Sequence, residues 1–384
     1  MTSVASPSFT IKLVETAAEQ ALFLDVPYRV YANDPNWVAP FRSSVAKQLQ
    51  PTNPFLQYGR LQPFIAVREG AKGTEAIGRI VAAVNDRLTA KEGKAVGLFG
   101  FFECIEDFSV AQTLLDTACQ WLRDQGMTLA RGPIDLSTHI NCLFLVDGFG
   151  LPPAIMTPYN PPYYPQFVER DGWYKAKDAY AYDFSLEEPL SPEFEKGYQI
   201  ALKSGVTFRP IHTKGEAFQQ DATAVYHLFT KMFSNNFSST PRTLEDFLEE
   251  AKDLQSIVDP DLFPIAEYNG EMIGFWMGLP DYNVALRPAR GKLDLWGTLK
   301  FLWYRRLVDR GRILVVCSLP EFRRKMVPLA LIYLGREGGA KKGKPYKRAE
   351  LGHVYEDNMP SRKLIEAAGG TIYKTYRIYE KSLV

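Results

Sequence analysis

The strongest constraint on the fold is that two sets of short words recur in the same order. Ala76-Ile77-Gly78-Arg79 is answered by Met272-Ile273-Gly274-Phe275, and Asn160-Pro161-Pro162 by Asn358-Met359-Pro360. Each asparagine is followed by an apolar-apolar-Glu step (Phe167-Val168-Glu169; Leu364-Ile365-Glu366), a glycine (Gly172; Gly370) and a Tyr-Lys pair (Tyr174-Lys175; Tyr373-Lys374). Gly78 lies 82 residues before Asn160, and Gly274 lies 84 before Asn358. Matched words at a matched separation are the mark of an internal duplication. A chain of 384 residues is also long for one hydrophobic core. We therefore expect two domains of one plan, residues 1–188 and 189–384, with the seam in the stretch from Ser185 to Gly205 that holds Pro189 and Pro192.

Each half reads as a mixed α/β fold. In the first, Leu22, Val26, Val30 and Tyr31 at helical spacing precede a Pro-rich loop from Asp34 to Pro40. Residues 64–67 and 76–84 predict a hairpin with a longish loop, and residues 96–104 predict a third strand. A helix over 109–125 has Ser109 as its cap and Gly126 as its stop, and a short strand follows over 128–130. In the second half, 206–209 predicts a strand, and 263–268 and 272–278 a hairpin about Asn269-Gly270. After a strand over 313–318 come a helix from about 324 to 339, a strand 348–355, a helix 361–368 and a strand 371–379.

Composition removes several classes of function. Forty-five Lys and Arg against 44 Asp and Glu leave a net charge of +1, so no global field exists to hold nucleic acid. Four scattered cysteines and four histidines lack metal-ligand spacing and form no disulfide framework, so neither metal nor disulfide is expected. Cys317, at the end of an apolar run, reads as a buried, inert thiol before it reads as a nucleophile. The first 25 residues lack the pattern of a signal peptide and no apolar run is long enough to span a bilayer, which together predict a cytoplasmic protein.

The chemistry signal lies in the second half. The strand ending at Ser318 is followed by Leu319-Pro320-Glu321-Phe322-Arg323-Arg324-Lys325 and then an apolar helix. Three cations beside a helix N-terminus make a seat for a phosphate or pyrophosphate, with a solvated basic turn as the plainer alternative. The run from Leu319 to Leu331, followed by Glu356-Asp357-Asn358-Met359-Pro360-Ser361 and on to Gly370, resembles the GCN5-related N-acetyltransferase superfamily. Further words, among them Asp34-Pro35-Asn36-Trp37-Val38, Gly97-Leu98-Phe99-Gly100-Phe101-Phe102-Glu103, Leu145-Val146-Asp147-Gly148-Phe149 and Pro280-Asp281-Tyr282-Asn283, extend the likeness over nearly the whole chain. They are similar to a bacterial family of tandem-domain acyltransferase-like proteins that includes bacterial ceramide synthases.

The resemblance implies two tandem domains of that fold and acyl-CoA as co-substrate. It implies a binding site made by Val316, Cys317 and Ser318 at the parting strand, by Arg323, Arg324, Lys325, Met326 and Val327 in the loop, and by Asn358. The family's loop is Gly-rich, whereas Arg324, Met326 and Pro328 stand where glycines are expected; Pro328 also lacks an amide. In the first half the same place reads Ile105-Glu106-Asp107, which repels a phosphate, so that half is expected to bind no CoA.

Acyl transfer to an amine needs a polarised carbonyl, a neutral amine and an acid for the departing thiolate. Amides near Val316 and Cys317 suit the first role. Glu350 is a candidate base, with solvated pairing to Lys347 or Arg348 as its plain alternative. Glu356 competes with it, on the same strand face if a period of two holds through Tyr355, and His353 falls on the other face. Tyr355, Tyr373, Tyr376 and Tyr379 are candidate acids or packing residues. The acceptor is then a small-molecule or lipid-like amine, a long-chain sphingoid-type amine among the options.

The segment 293–308 carries two tryptophans and several leucines among Lys300, Arg305 and Arg306. It reads as a core helix, a membrane-surface helix or the lining of a channel for a fatty chain, so peripheral membrane contact belongs to the expectations. Two functions stay open: an acyl-CoA-dependent N-acyltransferase, and a non-catalytic tandem protein that binds a ligand or acts as a scaffold.

Overall fold

The computed structural model describes residues 9–71, 73–292, 294–344 and 346–384. The chain folds as two compact units. The first comprises residues up to Asp178 together with Leu286–Phe301 and Tyr376–Val384; the second comprises Ala179–Ala285 and Leu302–Thr375. The expected boundary at 188/189 is thus corrected to a point inside a strand, and the first unit takes back two later segments. Pro192 marks no linker: it occupies the first turn of a helix, where a missing N–H costs nothing.

In chain order the elements begin β1 (Thr10–Leu13), α1 (Ala17–Val30), α2 (Arg42–Gln48), β2 (Gly59–Gly70), β3 (Gly73–Asn85), α3 (Asp86–Glu92) and β4 (Val96–Cys104). There follow α4 (Phe108–Asp124), β5 (Leu129–Gly132), β6 (Phe144–Asp147), α5 (Tyr163–Arg170) and β7 (Tyr174–Ser185), whose second half enters the second unit. Then come α6 (Pro192–Lys203), β8 (Thr207–Pro210), α7 (Gly215–Phe233), α8 (Leu244–Gln255), β9 (Pro264–Tyr268), β10 (Glu271–Pro280), α9 (Asn283–Leu286) and α10 (Leu295–Tyr304). The chain closes with β11 (Arg310–Ser318), α11 (Val327–Gly339), β12 (Arg348–Tyr355), α12 (Met359–Ala367) and β13 (Thr371–Ser382).

The two units repeat one sheet pattern. In the first, β1, β2, β3 and β4 pair antiparallel in turn, β4 and β5 run parallel, and β5 pairs with the end of β13. In the second, β8, β9, β10 and β11 pair antiparallel, β11 and β12 run parallel, and β12 pairs with the end of β7. The repeated glycines explain themselves here. Gly78 sits opposite Cys104, the last residue of β4, and Gly274 opposite Ser318, the last of β11. A Cβ on Gly78 would meet Leu114 of α4 at 2.7 Å; on Gly274 it would meet the Cys317 carbonyl at 2.9 Å and Leu331 of α11 at 3.2 Å. Each glycine lets the helix after the parting strand settle onto the sheet.

Local signals locate most elements. The Asn269-Gly270 hairpin turns with φ of 54° and 81°, the left-handed pair that such turns require. α4 presents Val110, Ala111, Leu114, Leu115, Ala118, Cys119 and Leu122 to the core, as its spacing demands. Its cap is Asp107, not Ser109: the carboxylate accepts from the Ser109 amide at 2.9 Å. The loop between β2 and β3 is short, since Gly70 and Gly73 pair directly.

Candidate active site

In the second unit the parallel pairing of β11 and β12 runs from Arg310↔Arg348 to Ile313↔Leu351 and then stops. Beyond that point each strand is irregular. Leu314 is an extra residue with no counterpart on β10, because Gly278 pairs with Ile313 and Met277 with Val315. On β12 the register slips between Leu351 and Val354, so the regular period assumed for Glu350, His353 and Glu356 is corrected. Leu314, Val315 and Val316 are half-buried although they lie inside the sheet, which is what a parted strand pair leaves. Cys317 and Ser318 are buried, and burial pushes the Cys317 thiol up to about 12, making it inert at neutral pH.

The loop after β11 is a tight turn over Pro320–Lys325 ending at Met326, whose φ of 59° is left-handed. A methionine therefore adopts the conformation that favours the family's glycine. Arg323 and Arg324 are exposed. Lys325 turns inward: its Nζ donates to the Ser204 carbonyl at 3.1 Å and lies 3.7 Å over the Tyr268 ring. The expected three-cation seat is thus two guanidiniums beside the start of α11, where Val327 is buried and Pro328 lies in the first turn. Asn358 is exposed and caps α12 by accepting from the Ser361 amide at 3.3 Å.

Glu350 is fully buried and its two oxygens accept from Arg312 at 2.7 Å and Arg310 at 3.1 Å. A carboxylate committed to two guanidiniums is not placed to take a proton from an amine, nor is it solvated as its plainer reading held. Arg312 and Lys374 are each 1% exposed. Burial, partly offset by Glu350, lowers Lys374 to about 8. His353 sits half-buried on the irregular part of β12, and burial plus the charges of Arg312 and Lys374 hold its imidazole well below the usual range. Tyr355 meets the ring of Phe237 edge-on, with centroids 6.4 Å apart. Glu356 lies just past the strand, its carbonyl bound by Arg362. Tyr373 receives a hydrogen bond from Arg310, while Tyr379, in the first unit, donates to Glu169. Arg310, Arg312 and Lys374 escaped the sequence reading; two arginines at i and i+2 in an apolar strand were the available signal.

The first unit has the same geometry, filled. β4 and β5 pair from Val96↔Leu129 to Leu98↔Arg131, and β4 then bulges between Gly100 and Glu103, with Phe101 at φ 52°. The segment after β5 occupies the gap. The Ile134 amide donates to the Phe99 carbonyl at 2.8 Å, and the buried Asp135 carboxylate accepts from the Phe101 amide at 2.6 Å. Phe99, Phe102, Phe144, Tyr164 and Trp173 pack against one another in the core of this unit. Among the described residues, no group of three or more His, Cys, Asp or Glu is arranged to hold a metal ion.

No family model matches the chain. Solved structures share its fold over nearly all its length. A tandem GCN5-related N-acetyltransferase protein from the clavulanic acid biosynthesis pathway matches with a TM-score of 0.56 at 12% identity, covering 98% of this chain and 99% of that one. A GCN5-related N-acetyltransferase from Sphaerobacter thermophilus matches at 0.53 and 14%, covering 98% and 96%. The fold is therefore that of a tandem GCN5-related N-acetyltransferase. In sequence, the chain is 33% identical over 379 residues to the bacterial ceramide synthase of Caulobacter vibrioides, covering 96% of each, and 26% identical over 390 residues to protein YghO of Escherichia coli, covering 100% and 98%. It belongs to the bacterial family of tandem acyltransferases that includes this ceramide synthase.

Proposed function

We propose that the chain is an acyl-CoA-dependent N-acyltransferase that binds acyl-CoA between β11 and β12 and acylates a long-chain, sphingoid-type amine. The observation that carries this reading is the contrast between the two gaps: Asp135 stoppers the bulge amide of β4, whereas Leu314–Val316 of β11 stay half-buried at a parted pair. The residues fit the co-substrate. Apolar side chains on β11 suit a pantetheine and acyl chain, and Arg323 and Arg324 suit the anionic end beyond. The first unit, with its bulge amide taken and acidic Glu106 and Asp107 in place of arginines, is assigned no CoA and a shaping role.

Each residue then has a task. The Val316 amide, directed away from β10, polarises the thioester carbonyl. His353, kept neutral by its surroundings, accepts a hydrogen bond from the attacking amine, whose proton leaves through water, and Tyr355 supplies a proton to the thiolate. Arg310, Arg312 and Lys374 outweigh Glu350 in charge, which favours the neutral, nucleophilic form of an amine held nearby. Glu350 anchors the three cations. The long-chain amine is supported by the relationship to a ceramide synthase. No described helix is long and apolar enough to cross a membrane, and an acyl-CoA substrate assigns the protein to the cytoplasm.

The turned-in Lys325 and the non-glycine loop favour a second reading, a ligand-binding protein without turnover. Thermal shift with CoA, acetyl-CoA and palmitoyl-CoA separates the two, combined with mass spectrometry of products from palmitoyl-CoA and sphinganine. The transferase reading expects stabilisation by about 3 kcal/mol at a hundredfold excess over Kd, and an N-acyl product. In Arg323→Ala/Arg324→Ala the shift falls to about half or less, with binding weakened roughly tenfold or more while the unliganded midpoint stays put. Binding without product would support the second reading, and no shift with any CoA species would sink the first.

A further inference from the structure

A surface helix ordinarily turns its apolar stripe inward and its charges outward. α10 does the reverse. At about 100° per residue, Leu295, Trp296, Leu299, Leu302 and Trp303 share a sector of roughly 120°, and these are the residues left in the open: 73% exposed for Leu295, 72% for Trp296, 62% for Trp303 and 49% for Leu299 and Leu302. On the opposite side Gly297 is buried and Phe301 half-buried. Leu307, one turn further on, is 54% exposed. Together they expose roughly 800 Å², above the roughly 300–600 Å² of the largest apolar patch on an ordinary monomer. Leu293 lies outside the described residues.

Within the stripe the charge is of one sign, with the exposed carboxylates of Asp294 and Asp309 standing only at its two ends. Lys300, Arg305 and Arg306 are exposed beside it, Arg306 with its guanidinium 3.4 Å from the Trp303 ring centroid, and no acidic residue stands between Leu295 and Val308. An apolar face that carries three cations along its length, against one carboxylate at each end, is complementary to a surface that is apolar beneath an anionic layer. A second copy of this chain would set two net positive faces against each other, three cations to two carboxylates on each. A channel lining is excluded, because the stripe faces outward.

The geometry points to an anionic lipid bilayer as the occupant of this face. α10 lies in the plane of the interface, leucines and tryptophans at the acyl boundary and Lys300, Arg305 and Arg306 among the phosphates. Its ten residues, about 15 Å, are far short of a span. The inference goes beyond the assignment of the reaction and holds whether or not the acceptor is a lipid.

The test is flotation of the full chain, without acyl-CoA, with phosphatidylcholine vesicles and with vesicles containing about a third phosphatidylglycerol. The chain is expected to float with the anionic vesicles and weakly with the neutral ones. High salt, which shortens the screening length from about 10 to about 3 Å, should release much of it. Lys300→Gln, Arg305→Gln and Arg306→Gln should each weaken binding roughly fivefold. Leu299→Glu/Trp303→Glu should abolish it with an unchanged melting midpoint and an unchanged palmitoyl-CoA shift, which keeps this result separate from the fate of the transferase reading. Wild-type chain left in the soluble fraction with anionic vesicles overturns the inference. So does a double variant that floats like wild type, or a dimer in solution that the double variant dissolves while neither protein floats.

Discussion

Glu350→Gln distinguishes an anchor from a base at the centre of the second unit. Wild-type Glu350 accepts from Arg312 at 2.7 Å and from Arg310 at 3.1 Å, with no exposure of its own, and Arg312 is 1% exposed. Taking away the charge leaves a buried guanidinium uncompensated, which costs about 3–5 kcal/mol. Glutamine can still accept one hydrogen bond, which favours the lower end. For a unit of this size each kcal/mol moves the melting midpoint by about 2–4 °C, so a fall of roughly 10 °C is expected. Lys374 loses its favourable partner as well and is driven below its present value of about 8. The assay is calorimetry of the unliganded chain near neutral pH alongside turnover measurements. A midpoint within about 2 °C of wild type, with turnover down by about 10²–10⁴-fold, would refute the reasoning and restore Glu350 as the base.

Two further changes probe other links in the account. Burial raises the Glu103 carboxyl of the first unit from an ordinary 4.5 to about 7. The folded state then holds that proton more tightly than the unfolded one, so its contribution is complete below 4.5 and is lost as the pH rises through 7, by about 3 kcal/mol. Glu103→Gln should flatten the decline in denaturant stability between pH 5 and 8, and parallel curves for the two proteins would contradict the assignment. Met326→Gly relieves a left-handed methionine and should raise stability by up to about 1 kcal/mol in urea unfolding, with loss of stability as the contrary result.

Much of the architecture was legible because its signals are local. Residues 96–104 and 348–355 were bounded to the residue, and the Asn269-Gly270 turn and the duplicated glycines placed the repeated sheets. The seam was not legible. β7 runs unbroken across the division at Asp178, and α6 wears the prolines of a linker while burying Phe194 and Ala201. In the site, the loop and the parting strand could be read, but the fate of its charges could not. Glu350 meets Arg312 through a parallel register that only the fold defines, and Lys325 is drawn inward by Ser204 and Tyr268, more than fifty residues away. Asp135 is distant from Phe101 in sequence for the same reason. For α10, composition announced an apolar stripe, yet periodicity is blind to which side faces the protein.

The central claim is that one gap of the two receives acyl-CoA. A crystal structure of the chain grown with a non-hydrolysable palmitoyl-CoA analogue tests it directly: the account predicts density between β11 and β12 with the pyrophosphate at Arg323 and Arg324, and none between β4 and β5. Density at β4 and β5, or a gap beyond Ile313 and Leu351 that the ligand does not enter, would contradict it.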